Sequence, residues 1–242
     1  MRAAKTKIDE ATLRSVWHQF VQMDDYVKEP RVIVEGEGAI VRDIEGREYI
    51  DGQSGMYVTA VGHGREEIAN AVAEQMKTLE YFGLFEYTNL PAVELAQKLS
   101  AISPGRLSTV CYGVCGSEAV EIAVKISRQY QTLRGFKKRY KVVARRYAYH
   151  GVTMGALSAL GIPALREAFE PLVPGFRHIA HPNCYRCELG LEYPECGVAC
   201  AKELENLLRF EVPETVAAFI GEPVSVAHAV MIPPREYWPM IR

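Results

Sequence analysis

A mostly parallel α/β sheet flanked by helices and preceded by a small antiparallel β meander is the fold this sequence predicts. Two observations carry the expectation. VIVEGEGAIVRDIEGREYIDG reads as short strands separated by turns at Gly36 and Glu45-Gly46. Beyond Gly52, helical faces alternate with short, continuously apolar runs, the pattern of strands buried on both sides.

In order along the chain, an amphipathic helix is expected around 11–24, then three strands near 32–35, 39–43 and 48–50. Ile68, Val72, Met76 and Leu79 mark one face of a helix, and Pro91 opens another at its first turn. A third helix is expected from Ser117 to Leu133, stopping at Gly135. Strands are expected at 109–113, 141–144, 177–180 and 216–220. No internal repeat or low-complexity tract interrupts the pattern.

Composition limits the function classes. The 242 residues carry 28 Lys plus Arg against 30 Asp plus Glu, with 48% hydrophobic residues, which excludes collagen-like, coiled-coil and disordered chains. A net charge of -2 leaves no electrostatic footprint for nucleic acid, and Lys137-Lys138-Arg139 with Lys141 reads as a solvated helix end. The N-terminal segment is too polar for a signal core and no stretch is long and apolar enough to span a bilayer, so a cytoplasmic protein with free thiols and no membrane partner is expected.

No G-x-G-x-x-G, Walker A, G-x-S-x-G or H-E-x-x-H pattern is present, which removes the main support for nicotinamide, nucleotide, serine-hydrolase and zincin chemistry. Three other segments carry chemistry. Val114-Cys115-Gly116-Ser117 leads into a helix beginning Glu118-Ala119-Val120-Glu121, where free amides, a glycine and a hydroxyl could seat a phosphate; a plain turn with Ser as N-cap is the alternative. KVVARR delivers Tyr147-Ala148-Tyr149-His150-Gly151 to the same sheet edge, where a ring could stack on a flat cofactor or simply pack. VAAFIGEPV ends an apolar run on Glu222 and Pro223, and a carboxylate there needs a partner, either a ligand or a structural cation.

Together these segments resemble the class III, fold-type-I aminotransferases that depend on pyridoxal 5'-phosphate (PLP). The resemblance runs in order through EGAIVRDIEGREYIDGQSGM, VGHGREEIANAVAEQM, TNLPAVELAQKL, CGSEAVEIAVKISR, YHGVTMGALSALG and AAFIGEPV. It implies that residues 1–60 form a helix and meander of a small domain, and 61–242 the N-terminal part of the large PLP-binding domain. It also implies that Gly116 and Ser117 hold the cofactor phosphate, that Tyr149, with His150 beside it, stacks on the pyridine ring, and that Glu222 sits at the cofactor's edge. Tyr57 matches an aromatic position that shapes the substrate pocket. The implied reaction moves an amino group from an amine or omega-amino acid donor to a 2-oxo acid acceptor, in a homodimer.

Two departures bear on that expectation. Val114-Cys115 stand where the family usually has a polar residue ahead of GSEA. Family members also carry, past GEP, an aspartate for the pyridine nitrogen and then the Schiff-base lysine, neither of which stands in this chain. No residue here is thus expected to be catalytic, the chain is expected to be an inactive fragment with an incomplete sheet, and its uncovered edge and apolar face predict poor solubility. A non-catalytic PLP-binding or interaction protein is the alternative.

Cys184, Cys187, Cys196 and Cys200 give C-x2-C-x8-C-x3-C, close to a zinc-ribbon spacing. Cys196 and Cys200 are one helical turn apart, and small buried thiols without metal are the favoured reading.

Overall fold

A computed structural model describes residues 8–242. Contacts divide the chain into two units, one ending at Val110 and one spanning Cys111–Arg242.

The first unit begins with two short helical turns, α1 (Glu10–Arg14), whose Thr12 amide is capped by the Asp9 carboxylate at 2.8 Å, and α2 (Met23–Tyr26). The single helix expected over 11–24 is therefore interrupted. Neither turn buries a residue and Trp17 is 89% exposed, so no packed face supports a longer helix against its nucleation cost. Strands β1 (Ile33–Glu37), β2 (Ile40–Asp43) and β3 (Glu48–Ile50) form the expected antiparallel meander, with Glu37 opposite Ile40 and Ile40 opposite Ile50. Gly46 makes the second turn at φ +87°, but the first belongs to Gly38 rather than Gly36. Gly36 lies inside β1, where a Cβ would come within 2.8 Å of the His63 ring.

Beyond the meander, α3 (Ser54–Tyr57) is a left-handed turn. Ser54, Gly55, Met56 and Tyr57 take φ values of +50°, +57°, +68° and +69°, a run that L-residues avoid. Asp51 holds it by accepting the Gly55 amide at 2.7 Å, and its carboxylate also meets His63 Nε2 at 2.8 Å. Two helices follow, α4 (Glu66–Thr78) and α5 (Leu90–Ile102), the latter capped by Asn89 on the Ala92 amide at 3.0 Å with Pro91 in its first turn. The apolar stripe of α4 forms at the expected spacing, yet Ile68, Val72 and Met76 stay about half exposed.

In the second unit, α6 (Gly116–Leu133) precedes β4 (Lys141–Arg145), α7 (Met154–Ala159), β5 (Phe176–Ile179), α8 (Ala199–Glu211), β6 (Val216–Phe219) and the short α9 (Tyr237–Ile241). The strands form a parallel sheet in the order β5-β4-β6, flanked by α6 and α7 on one side and α8 on the other. The run 109–113 enters neither sheet, contrary to its β-prone sequence. It pairs with neither outer edge of the β5-β4-β6 sheet, and β propensity alone does not make a strand without a ladder partner.

All of β4 after Lys141 is buried. The two-residue side-chain period puts Val143 and Arg145 on one face, where Val143 packs with Ile179 and Leu204, and Arg145 meets the rings of α9. Around this core, Val114, Leu133 and Phe210 are each more than four-fifths exposed, and β5 and β6 both present an outer edge. Unpaired strand edges and contiguous apolar surface promote association. Size-exclusion chromatography of the 242-residue chain should show aggregates that grow with concentration; a monodisperse monomer over a wide range would contradict this.

Candidate cofactor site

β4 and β6 run parallel and adjacent, so the loops leaving their carboxyl ends emerge side by side. Tyr149, in the loop after β4, donates its amide to Glu222 Oε1 at 3.3 Å. Three residues on, the Val152 amide donates to Ser117 Oγ at 2.9 Å, which brings the first turn of α6 to the same place. Ser117 is buried and its hydroxyl proton remains to be donated.

Gly151 makes this approach possible. Its φ is +125°, and a Cβ there would lie 2.5 Å from Ser117 Oγ and 2.9 Å from the Ser117 Cα. At Gly116 the opposite holds, since nothing stands within 4 Å of where a Cβ would be. The first amides of α6 have no intrahelical acceptor, and Gly116 among them carries no side chain to crowd an approaching anion. Glu118 is turned back on the preceding loop, its Oε2 accepting the Val114 amide at 2.5 Å.

Of the two tyrosines after β4, Tyr149 is the one with exposed surface, at 39%. Tyr147 is occupied: its ring stacks on His228 at 4.5 Å and 16°, with His181 edge-on at 6.2 Å. His150 points inward, 7% exposed, with Nε2 lacking a hydrogen-bond partner. Tyr57 belongs to the first unit, on the left-handed turn, and is 61% exposed.

Glu222 does have the structural cation that a buried strand end demands. Arg145 Nη2 donates to the Glu222 carbonyl at 2.6 Å and lies 3.4 Å from Oε2, while the Ser225 hydroxyl donates to Oε2 at 2.9 Å. Sequence reasoning missed Arg145 and Ser225. It also missed Glu121, whose Oε1 accepts the Thr153 hydroxyl at 2.6 Å, the Gly155 amide at 2.9 Å and the Ala156 amide at 3.2 Å. Glu121 thereby caps α7 from across the fold. The signal available for Arg145 was a charge in phase with Val143 on an apolar strand; for Glu121 there was none, since its partners lie more than thirty residues away.

Burial, reinforced by the Arg145 charge, lowers the pKa of both His150 and His181 from 6.5 to about 4. Both imidazoles are neutral at pH 7. The unfolded chain takes up protons near pH 6.5 and the folded chain only near 4, so their stabilisation is complete above 6.5 and lost as pH falls through that window. Each histidine contributes a slope of up to about 1.4 kcal/mol per pH unit. Urea unfolding should show a lower midpoint at pH 5 than at pH 7.5, with part of the difference removed in His150→Gln; equal midpoints would contradict the burial of these rings.

A profile of the family Aminotransferase class-III matches residues 22–242. The chain belongs to the class III aminotransferases. A probable aminotransferase of Mycobacterium tuberculosis is 40% identical over 231 residues, covering 96% of this chain and 49% of that protein. The putrescine–pyruvate aminotransferase of Pseudomonas aeruginosa is 35% identical, covering 99% and 53%. Among solved structures, an (S)-enantioselective omega-transaminase from Thermomicrobium roseum superposes with a TM-score of 0.91 at 42% identity, covering 96% of this chain and 52% of that one. The omega transaminase of Pseudomonas jessenii in complex with PMP gives 0.92 at 33% identity, covering 98% and 53%. The chain thus spans about half the length of the relatives it matches. The fold is that of the PLP fold-type-I transaminases.

Class III aminotransferases use PLP, and the donor set here fits part of that cofactor. The open space at Gly116 beside the Ser117 hydroxyl suits its phosphate, and the exposed Tyr149 suits its ring. Among the described residues of the second unit, no lysine to link it stands at this edge. Lys125 lies within α6, Lys137 and Lys138 follow that helix, Lys141 starts β4 and pairs with Glu211 at 2.6 Å, and Lys202 lies in α8.

The four clustered cysteines are free thiols lining one small cavity of about 20 Å³ together with His181. Among the described residues no group of three or more His, Cys, Asp or Glu is arranged to hold a metal ion. Burial raises the Cys200 thiol pKa to about 11 and pushes that of Cys184 up as well. The purified chain should carry no stoichiometric zinc by elemental analysis; one zinc per chain, lost on cysteine substitution, would overturn this.

Proposed function

We propose that this chain is the cofactor-holding part of a transaminase that transfers an amino group from an amine or omega-amino acid to a 2-oxo acid. The carrying observation is the pair of bonds, Val152 amide to Ser117 Oγ and Tyr149 amide to Glu222 Oε1, that joins an anion seat, an exposed tyrosine and a carboxylate at one sheet edge. Family membership and the omega-transaminase neighbours support the reaction class.

PLP supplies an electron sink for the substrate's carbon–nitrogen chemistry. In this reading the first amides of α6 and the Ser117 hydroxyl bind the phosphate dianion. The Tyr149 ring covers one face of the pyridine and excludes water from it, while Glu222 sets the charge beside the ring. The buried, neutral His150 backs the loop that carries Tyr149. Tyr57 shapes the amine pocket, with residues 1–60 as part of a small domain and 61–242 as the N-terminal part of the large one. The aspartate for the ring nitrogen and the linking lysine come from outside these 242 residues, in a cytoplasmic homodimer.

The absence of a lysine from the carboxyl edge of the second unit's sheet also favours a second reading, a non-catalytic PLP-binding or interaction protein. Borohydride reduction separates the two. The chain with PLP should yield no stoichiometric adduct at any one lysine, while co-expression with the remaining half of the M. tuberculosis relative should yield one adduct and amine-dependent conversion of a 2-oxo acid. A stoichiometric adduct on the chain alone overturns the assignment of a missing lysine. An assembled pair that fixes PLP but converts no amine supports the non-catalytic reading.

A further inference from the structure

We propose that Arg145 is the positioning residue of the cofactor site: by gripping Glu222 at both its carbonyl and its carboxylate, it sets the conformation of the loop that carries Tyr149. This rests on the cofactor-site reading above and adds to it a residue that does not itself face the open edge.

Arg145 ends β4 with 0% exposure. A guanidinium so buried needs partners inside the protein, and Nη2 finds them on Glu222 while Nε has none. Nη2 meets the Glu222 peptide oxygen at 2.6 Å and Oε2 at 3.4 Å, so one group constrains both the backbone and the side chain of a single residue. The guanidinium is itself fixed by two rings of α9, with its carbon 5.8 Å from the Tyr237 centroid and 5.3 Å from that of Trp238. Ser225 takes the same carboxylate oxygen as Arg145, which leaves Oε1 to accept the Tyr149 amide. A line of contacts thus runs from the α9 rings through Arg145 and Glu222 to the backbone of the stacking tyrosine. Arg146, the next residue, faces elsewhere and pairs with Glu188 at 2.7 Å and Glu203 at 3.2 Å.

A purely structural cation would be replaceable by any change that keeps the fold, whereas a positioning one controls Tyr149 specifically. Hydrogen exchange at low protein concentration, read by mass spectrometry over peptides spanning Tyr149, distinguishes them without any ligand. In Arg145→Met and in Glu222→Ala, which removes the acceptor, the Tyr149 amide should exchange at least tenfold faster while the β4 ladder keeps its protection. Arg145→Lys, which keeps the charge but loses the planar fork, should fall between and serves if the Met variant fails to fold. The double variant should exchange no faster than either single one. Unchanged Tyr149 exchange in folded Arg145→Lys and Glu222→Ala overturns the proposal.

The second arm is PLP titration, with the induced circular dichroism of the bound chromophore as the signature of ring orientation. Arg145→Met should weaken PLP about tenfold and diminish that signal, while inorganic phosphate competes as before. If the wild-type chain binds no PLP, the cofactor reading fails and the exchange result still decides the role of Arg145.

Discussion

Replacing Gly151 by alanine should destabilise the second unit by about 3 kcal/mol or more and abolish recognition of a phosphate-bearing ligand. Two independent costs coincide at this position. The backbone stands at φ +125°, which L-residues rarely adopt and which costs on the order of 1–3 kcal/mol. The added methyl would also sit 2.5 Å from Ser117 Oγ, 2.9 Å from the Ser117 Cα and 3.0 Å from the Ala156 side chain. The Ser117 Cα belongs to a helix and cannot yield as a flexible side chain would, so the loop must move instead. That movement breaks the Val152 amide bond to Ser117 and separates the anion seat from the loop of Tyr149. Urea unfolding and phosphate competition measure the two losses separately. A variant with wild-type stability would show that the close approach of loop and helix is not real.

Replacing Glu121 by alanine should cost about 3 kcal/mol, with glutamine costing much less. One carboxylate oxygen receives the Thr153 hydroxyl and the Gly155 and Ala156 amides. Removing it strands donors at the first turn of α7, in a partly buried setting where an unsatisfied group costs about 1–3 kcal/mol, and takes a negative charge from a helix N-terminus. Glutamine keeps the oxygen acceptor and loses only the charge. The contrast between the two variants, measured as unfolding free energy, is the test; equal losses would mean that the negative charge at the helix N-terminus rather than the oxygen acceptor carries the effect.

Much of this was readable from the chain because local signals and tertiary structure agree there. Gly135 stops α6 at φ +88°, Pro91 opens α5, and the apolar runs in β4 and β6 are strands covered by helices. Ser117, Tyr149 and Glu222 were nameable because each sits at the end of such an element, and the resemblance to the family placed them together.

What was not readable depends on residues far apart. Arg145 and Arg146 look equivalent in sequence, and only the pleat of β4 and the α9 rings decide which is buried. Tyr147 and Tyr149 are likewise equivalent until His228, some eighty residues later, occupies one of them. The run 109–113 has strand composition but enters no ladder, and the stripe at the N-terminus has helical spacing but nothing packed against it. In both cases propensity lacked the tertiary contact that would have realised it.

In the proposed function, α6, the loop after β4 and the end of β6 together form a seat for a phosphorylated ring. Equilibrium titration of the chain with PLP, pyridoxal and inorganic phosphate, at low concentration, is the decisive measurement. One saturable PLP site per chain is expected, displaced by phosphate, weakened strongly in Gly151→Ala, and at least tenfold tighter for PLP than for pyridoxal. Equal binding of PLP and pyridoxal, or PLP binding indifferent to phosphate and to Gly151→Ala, would contradict it.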